Sequence, residues 1–174
     1  ANEQALRAGE IIRRLREFVA RGDTEKAVVD AHILITESMA LARMSNKLNR
    51  ASVRMELDSP AQSVIADKVQ IQQVLLNLVR NALEAIDGIV PGILVVSAHA
   101  KGDFVEFAIA DNGPGIADDV RARLFEPFVT TKKDGSGIGL AVAQQVVRAH
   151  GGRIDVEDPS LPTETRFSGS TFGR

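Results

Sequence analysis

The 174-residue sequence predicts an α+β fold in which helices cover one face of a largely antiparallel sheet. Three observations carry that expectation. Apolar residues recur at helical spacing over 67–86 and again over 137–149. Two runs, 93–100 and 104–110, alternate apolar and polar residues and meet at Lys101-Gly102-Asp103, a hairpin pattern. Glycine-rich turns at 111–116 and 135–140 fall where a strand ends and where a helix begins.

Taken in order, residues 2–20 carry Ala5, Ala8, Ile11, Ile12, Leu15, Phe18 and Val19 at spacings of three and four, an amphipathic helix. Its stripe finds no obvious partner within its own segment. Arg21-Gly22-Asp23 stops it. The domain boundary therefore falls at 21–24, leaving 1–22 as a helix and 23–174 as the globular unit. A second helix is expected from Val28 to Met44, starting near Thr24-Glu25-Lys26. Residues 52–57 alternate as a half-buried strand and 63–66 form another, with Ser59-Pro60 as the turn between them. Asp67 is placed to cap the helix that carries Val69, Ile71, Val74, Leu75, Leu78, Val79, Ala82, Leu83 and Ile86. A loop-rich span follows at 111–136. Gly151-Gly152 stops the helix over 137–149, 153–157 is a strand, and a last strand lies within 164–172.

Composition narrows the function. Hydrophobic residues at 44% and charged residues at 25% belong to an ordinary soluble domain with one core. A net charge of −2 argues against nucleic-acid binding as the main task. The absence of cysteine excludes disulfides, a thiolate nucleophile and a Cys-based metal site, and fits a reducing compartment. No apolar run approaches the ~20 residues of a membrane span, and the N-terminus lacks a signal-peptide pattern. The expected location is cytoplasmic, without membrane contact. With Trp and Tyr absent, stacking on a base falls to seven Phe.

Asn77 and Asn81 lie four apart on the helix over 67–86 and share one face, flanked by Arg80 and Glu84. Two readings stand side by side. Either both amides face water, or an amide oxygen serves Mg²⁺, which prefers oxygen ligands. Asp111 ends an alternating strand, where a carboxylate either forms an Asx-turn or accepts from an exocyclic amine such as that of adenine. Glycine lets the backbone approach a ligand closely, and a helix N-terminus offers N–H groups to phosphate oxygens. The turn Gly135 to Leu140 lacks the lysine of a Walker motif, and no βαβ unit surrounds it, so P-loop and dinucleotide sites are disfavoured.

Four segments resemble, in order, the N, G1, F and G2 boxes of sensor histidine kinases. They are Asn77-Leu78-Val79-Arg80-Asn81-Ala82, Asp111-Asn112-Gly113-Pro114-Gly115-Ile116, Leu124-Phe125-Glu126-Pro127-Phe128 and Gly135-Ser136-Gly137-Ile138-Gly139-Leu140. The resemblance covers about residues 50–172. The segment from Ala8 to Arg16 is similar to the second helix of that family's dimerisation hairpin. With Thr130-Thr131-Lys132 after the F box, the wording is most similar to the oxygen-sensing nitrogen-fixation kinases and their PAS-linked relatives.

The resemblance implies a two-layer α/β sandwich of the histidine kinase, gyrase and chaperone ATP-binding type, with a mobile ATP lid. It implies ATP and Mg²⁺ as cofactors, Asn81 as the Mg²⁺ ligand and Asn77 as a phosphate-side partner, with Arg80 and Glu84 beside them among the cofactor-binding residues. Asp111 would hold the adenine amine, Gly113 and Gly115 would admit the base, and Ile116 and Leu140 would line it. Within the last box, Gly135, Ser136 and Ile138 would also bind the cofactor, while Gly137 and Gly139 would let lid and helix reach the phosphates. Thr130, Thr131 and Lys132 fall at the lid edge, where Lys132 would neutralise phosphate charge. The implied partners are the parent kinase's dimerisation hairpin, a response regulator receiver domain and a second copy of the parent.

Two departures qualify this. The family's phosphoacceptor is a histidine followed by an acidic residue, yet His32, His99 and His150 precede Ile33, Ala100 and Gly151. His150 reads as a helix C-cap, suited by its partial positive charge. The acceptor is accordingly expected on sequence outside this chain, which should not label itself. The adenine-side hydroxyl is expected at Thr171, within Gly169-Ser170-Thr171-Phe172; the interval after Gly151-Gly152 instead favours Thr165. Gyrase, mismatch-repair and chaperone ATPases of this fold use a glutamate base four residues before the Mg²⁺ asparagine. Asn77 stands there, and an amide takes no proton at neutral pH, so transfer to a protein is favoured over hydrolysis. A serine kinase of the anti-sigma type and a nucleotide-binding adaptor remain the alternatives.

Overall fold

The computed structural model describes residues 25–44, 51–58, 62–130, 135–157 and 163–170, the last segment as backbone. The expectations for residues 1–22, the boundary at 21–24, the Ser59-Pro60 turn, Thr131, Lys132 and Thr171 lie outside these residues. Along the chain run β1 (Ala27–Asp30), α1 (Ala31–Ala42), β2 (Ala51–Leu57), β3 (Ser63–Ala66), α2 (Lys68–Ala85), β4 (Gly92–Lys101) and β5 (Phe104–Asp111). There follow α3 (Asp118–Arg121), α4 (Gly139–Ala149), β6 (Arg153–Glu157) and β7 (Thr163–Ser170).

Five strands form one sheet in the order β2-β4-β5-β7-β6. The β4–β5 hairpin forms as the alternation predicts, with Lys101 opposite Phe104 and Leu94 opposite Asp111. Residues 94, 96 and 98 of β4 and 105, 107 and 109 of β5 turn one face inward. Against that face pack Leu34, Ile35 and Met39 of α1, the apolar stripe of α2, and Ala143, Val146 and Val147 of α4. All three longer helices thus share one side, which makes the two layers.

Three features differ from the sequence reading. Residues 27–30 are a strand instead of the start of a helix, and Asp30 caps α1 by accepting from the Ile33 N–H at 3.1 Å. That strand pairs with β3 as a separate two-stranded ribbon, Val28 opposite Ile65. A four-residue apolar run carries no period of its own, and a partner more than thirty residues away decides it. β2 also runs parallel to β4, so β2 and β3 are not hairpin neighbours. Finally, α4 begins at Gly139, since Gly137 has φ 66° and a helix cannot pass through it.

Polar contacts fix the helix ends. Asp67 caps α2, its Oδ1 accepting from the N–H groups of Val69 at 3.0 Å and Gln70 at 3.1 Å. Glu37 of α1 accepts from Lys68 Nζ at 2.8 Å and Gln72 Nε2 at 2.7 Å, tying α1 to α2. The Lys68 hydrogen bond holds the Glu37 carboxyl below its usual range. Just past β2, Asp58 accepts from His99 Nδ1 at 2.9 Å and from the Ala100 N–H at 3.1 Å, and these bonds lower its carboxyl pKa. Both carboxylates are solvent-accessible, so the contacts set geometry more than stability.

Phe107, on a central strand and 1% exposed, is the largest side chain of the core. Phe107→Ala should cost about 3–5 kcal/mol in urea unfolding, as expected for removal of a buried ring. Phe104→Ala, 43% exposed on the same strand, should fall within about 0.5 kcal/mol of the unaltered chain.

Candidate functional site

Asn77, Asn81 and Ala85 recur at every fourth position of α2 and so lie along one stripe. The two glycine turns press on the ends of that stripe. A Cβ at Gly139 would stand 2.6 Å from Asn77 Oδ1 and 2.8 Å from its Nδ2. A Cβ at Gly113 would stand 3.0 Å from that of Ala85 and 2.6 Å from Asp111 Oδ1. Asn81, half-buried, occupies the turn of helix between the two contacts. The structure therefore brings the first, second and fourth sequence boxes to one helix face.

Asn77 is oriented. Arg80 Nη2 donates to Asn77 Oδ1 at 3.0 Å, and a guanidinium can only donate, so the amide oxygen faces Arg80. Its Nδ2 is buried without a hydrogen-bond partner beside Gly139. A buried orphan donor is costly and calls for an acceptor. A phosphate oxygen supplies one, whereas a cation does not. That orphan, and the close approach of Gly139 to Asn77, fit a nucleotide whose phosphates reach the N-terminus of α4. For Mg²⁺, the Asn81 amide would offer the oxygen such an ion prefers, while the Asn77 oxygen already accepts from Arg80.

Asp111 is the last residue of β5 and is 7% exposed. Its Oδ1 accepts from the Gly113 N–H at 2.8 Å, so the Asx-turn is present and shapes the turn that brings Gly113 to Ala85. The next residue, Asn112, was not singled out by sequence. Its Oδ1 accepts from the Ile93 N–H at 2.7 Å and its Nδ2 donates to the Pro91 carbonyl at 2.8 Å, locking the end of the sheet beside Asp111. The Asp-Asn-Gly wording was the available signal, but the partners stand 19 and 21 residues away.

Other predicted residues divide. Gly115 takes φ 81°, the left-handed conformation its turn requires. Ile116 is half-buried, and Leu140 is half-buried while packing on the core. Ile138 is buried at the N-cap of α4. Glu84 is half-buried on the last turn of α2. Thr130 and Gly135 are exposed, and Ser136 is half-buried. The Phe128 N–H donates to the Gly137 carbonyl at 2.9 Å, and both residues have positive φ, 69° and 66°.

The register of β7 bears on the adenine-side hydroxyl. Thr163 stands opposite Asp111 and Thr165 opposite Ile109, whereas Ser170 stands opposite Phe104 at the far end of β5. Seven strand residues separate those ends, roughly 23 Å. The described ladder thus sets Thr165 two positions from the Asp111 pairing, while Thr171 lies outside the described residues. The histidine reading is corrected. His150 does end α4, but its Nε2 accepts from the Asp67 N–H at 3.0 Å, which an imidazolium cannot do.

Residues 66–172 match the family described as histidine kinase-, DNA gyrase B- and HSP90-like ATPase. The chain belongs to that family. It is 49% identical over 158 residues to the sensor protein FixL of Bradyrhizobium diazoefficiens, covering 90% of this chain and 31% of FixL. Among solved structures, the catalytic domain of histidine kinase ThkA superposes with a TM-score of 0.76 at 28% identity, covering 84% of this chain and 95% of that one. Full-length ShkA in complex with AMPPNP gives 0.79 at 30% identity, over 95% of this chain and 36% of ShkA. The chain spans about a third of FixL's length. The two-layer sandwich and the identification with sensor-kinase catalytic domains both agree with the sequence reading.

Gly139→Ala separates site from scaffold. The clash falls on the end of the Asn77 side chain, which can swing away, so thermal stability should hold while ATP affinity falls about tenfold as that contact is lost. Gly137→Ala meets the Phe128 backbone at 2.5 Å and needs positive φ, so calorimetry should show a lowered melting temperature.

Proposed function

We propose that this chain is the ATP-binding catalytic domain of a two-component sensor histidine kinase. It presents the γ-phosphate of ATP to a histidine on a dimerisation hairpin, and the parent acts as a homodimer. The observation that carries this is the convergence of both glycine turns on the Asn77–Asn81–Ala85 stripe, with the Asn77 Nδ2 left unpaired beside Gly139. Asn77 donates to a phosphate oxygen, Asn81 holds Mg²⁺ through its amide oxygen, and Lys132 and the threonines Thr130 and Thr131 meet the phosphates from the lid. Mg²⁺, when bound, neutralises phosphate charge. Asp111 accepts from the adenine amine, and Thr165, opposite Ile109 on β7, supplies the adenine-side hydroxyl.

Transfer is favoured over hydrolysis on residue chemistry. An amide at position 77 cannot take a proton from water, so no group there activates an attacking hydroxide. None of the chain's own histidines is followed by an acidic residue as the family's acceptor is, and His150 is buried at the end of α4 remote from Gly139. In transfer, the acceptor imidazole nitrogen bonds to the γ-phosphorus as the bond to the β–γ bridging oxygen breaks, and ADP leaves. A receiver domain of a response regulator then takes the phosphoryl group. Among the described residues no helix is long and apolar enough to cross a membrane, and the proposed setting is the cytoplasm.

Mixing the chain with a separate dimerisation hairpin bearing the acceptor histidine tests this. Radiolabelled ATP should label the hairpin, not the chain, and the label should be acid-labile and alkali-stable; Asn81→Ala should abolish it. Rapid ATP turnover by the chain alone, or alkali-labile phosphate on serine, would instead support the hydrolase or serine-kinase alternative.

The base pocket is tested apart from transfer. The unaltered chain should prefer ATP to GTP, and Asp111→Asn should narrow that ratio by about tenfold, the scale of one charge-assisted hydrogen bond. Equal affinities in the unaltered chain would remove Asp111 from the site.

A further inference from the structure

The phosphate end of the site depends on where α4 begins relative to α2, because Gly139 of one must meet Asn77 of the other. Two packed helices can slide along each other, and a slip of one turn is about 5.4 Å, enough to part these residues completely. The close packing of Ala143, Val146 and Val147 opposes such a slip, and a directional contact between the two helices would sharpen the register further.

His150 does so in the geometry seen. It is 4% exposed and sits at the opposite end of α4 from Gly139. Its Nε2 accepts from the backbone N–H of Asp67, at 3.0 Å, and its Nδ1 lies 2.8 Å from the Val146 carbonyl. A backbone N–H only donates and a carbonyl only accepts, so the ring is neutral with its proton on Nδ1. Asp67 is the residue that caps α2 with its own carboxylate. One imidazole therefore joins the first residue of one helix to the last turn of the other. Gly151, at φ 74°, and Gly152 finish α4 by donating to the carbonyls of Arg148 at 2.9 Å and Val147 at 3.0 Å, so the ring's own position is fixed.

The spans agree. Asp67 and Asn77 are ten residues apart on α2, about 15 Å, and Gly139 and His150 are eleven apart on α4, about 16.5 Å. The helices run antiparallel, so pinning His150 to Asp67 delivers Gly139 to Asn77.

We propose that His150 is a positioning residue for phosphate binding: a neutral imidazole clamp that holds α4 in register with α2 from the end remote from the nucleotide. This deepens the nucleotide reading above and rests on it. The clamp acts at Asn77 and Gly139, not at Asp111, so its loss should weaken binding of the phosphates and leave binding of the base intact.

The test compares ATP and adenosine affinities of the full chain, with Mg²⁺ present, for the unaltered protein, His150→Phe and His150→Gln. His150→Phe keeps a ring but leaves the Asp67 N–H without an acceptor; ATP affinity should fall about tenfold while adenosine affinity is unchanged. His150→Gln restores an acceptor and a donor in one amide and should return ATP affinity to within about threefold of the original. Ring nitrogen NMR of the unaltered chain should show Nδ1 protonated and Nε2 bare and hydrogen-bonded. If ATP and adenosine weaken together, or if His150→Phe binds ATP normally, His150 is not a positioning residue. If His150→Phe does not fold, the Gln variant and the tautomer decide: a proton on Nε2, or His150→Gln binding ATP tenfold more weakly, overturns the clamp. Failure of the unaltered chain to bind ATP overturns the nucleotide reading and this role together, whereas intact ATP binding with an indifferent His150 overturns the role alone.

Discussion

Burial of one face of α2 against the sheet is the constraint on which the remaining structure depends. Val74, Leu75, Leu78, Val79, Ala82 and Leu83 are nearly inaccessible, which fixes the helix about its own axis and along its length. Once that face is committed, the positions left over are committed too. Asn77, Asn81 and Ala85 come out on one stripe because the helical repeat allows nothing else. Dense packing of the core is thus what makes a polar stripe hold its direction to within a fraction of a turn.

The site is then completed by elements that refer to α2 separately. The Asp111 turn reaches it through Gly113 at Ala85, and α4 reaches it through Gly139 at Asn77. At both places a methyl group would intrude, so small size is required by contact as well as by backbone freedom. Arg80 contributes at one remove: by occupying the Asn77 oxygen it leaves the Nδ2 end of the amide unpaired beside Gly139. An amide held that way has a donor to offer an anion, and in neither orientation can it abstract a proton.

Much of this was legible in the sequence, for physical reasons that also explain the gaps. The β4–β5 hairpin, α2 with its Asp67 cap, and the end of α4 at Gly151-Gly152 rest on local periodicity or local hydrogen bonds, so a one-dimensional pattern records them. The glycine turns and the two asparagines were legible because glycine and a paired amide are unusual where they stand. What escaped depends on residues distant in the chain. β1 is a strand only because β3 lies beside it, and the parallel pairing of β2 with β4 leaves no mark in either. Asn112 and His150 drew at most a cap reading, since their partners are 19 to 83 residues away. The register of β7 is a ladder property, which local wording does not record.

The join between Phe128 and Gly137 has a consequence for how such a domain can diversify. Those two residues hold each other through a backbone hydrogen bond and a close contact, so everything between them is a closed loop on a fixed base. The entropy of closing a loop grows only with the logarithm of its length, about 0.6 kcal/mol for each doubling. The span between positions 128 and 137 can therefore change in length at small cost to the core and to the asparagine stripe, so variation there does not require a new fold.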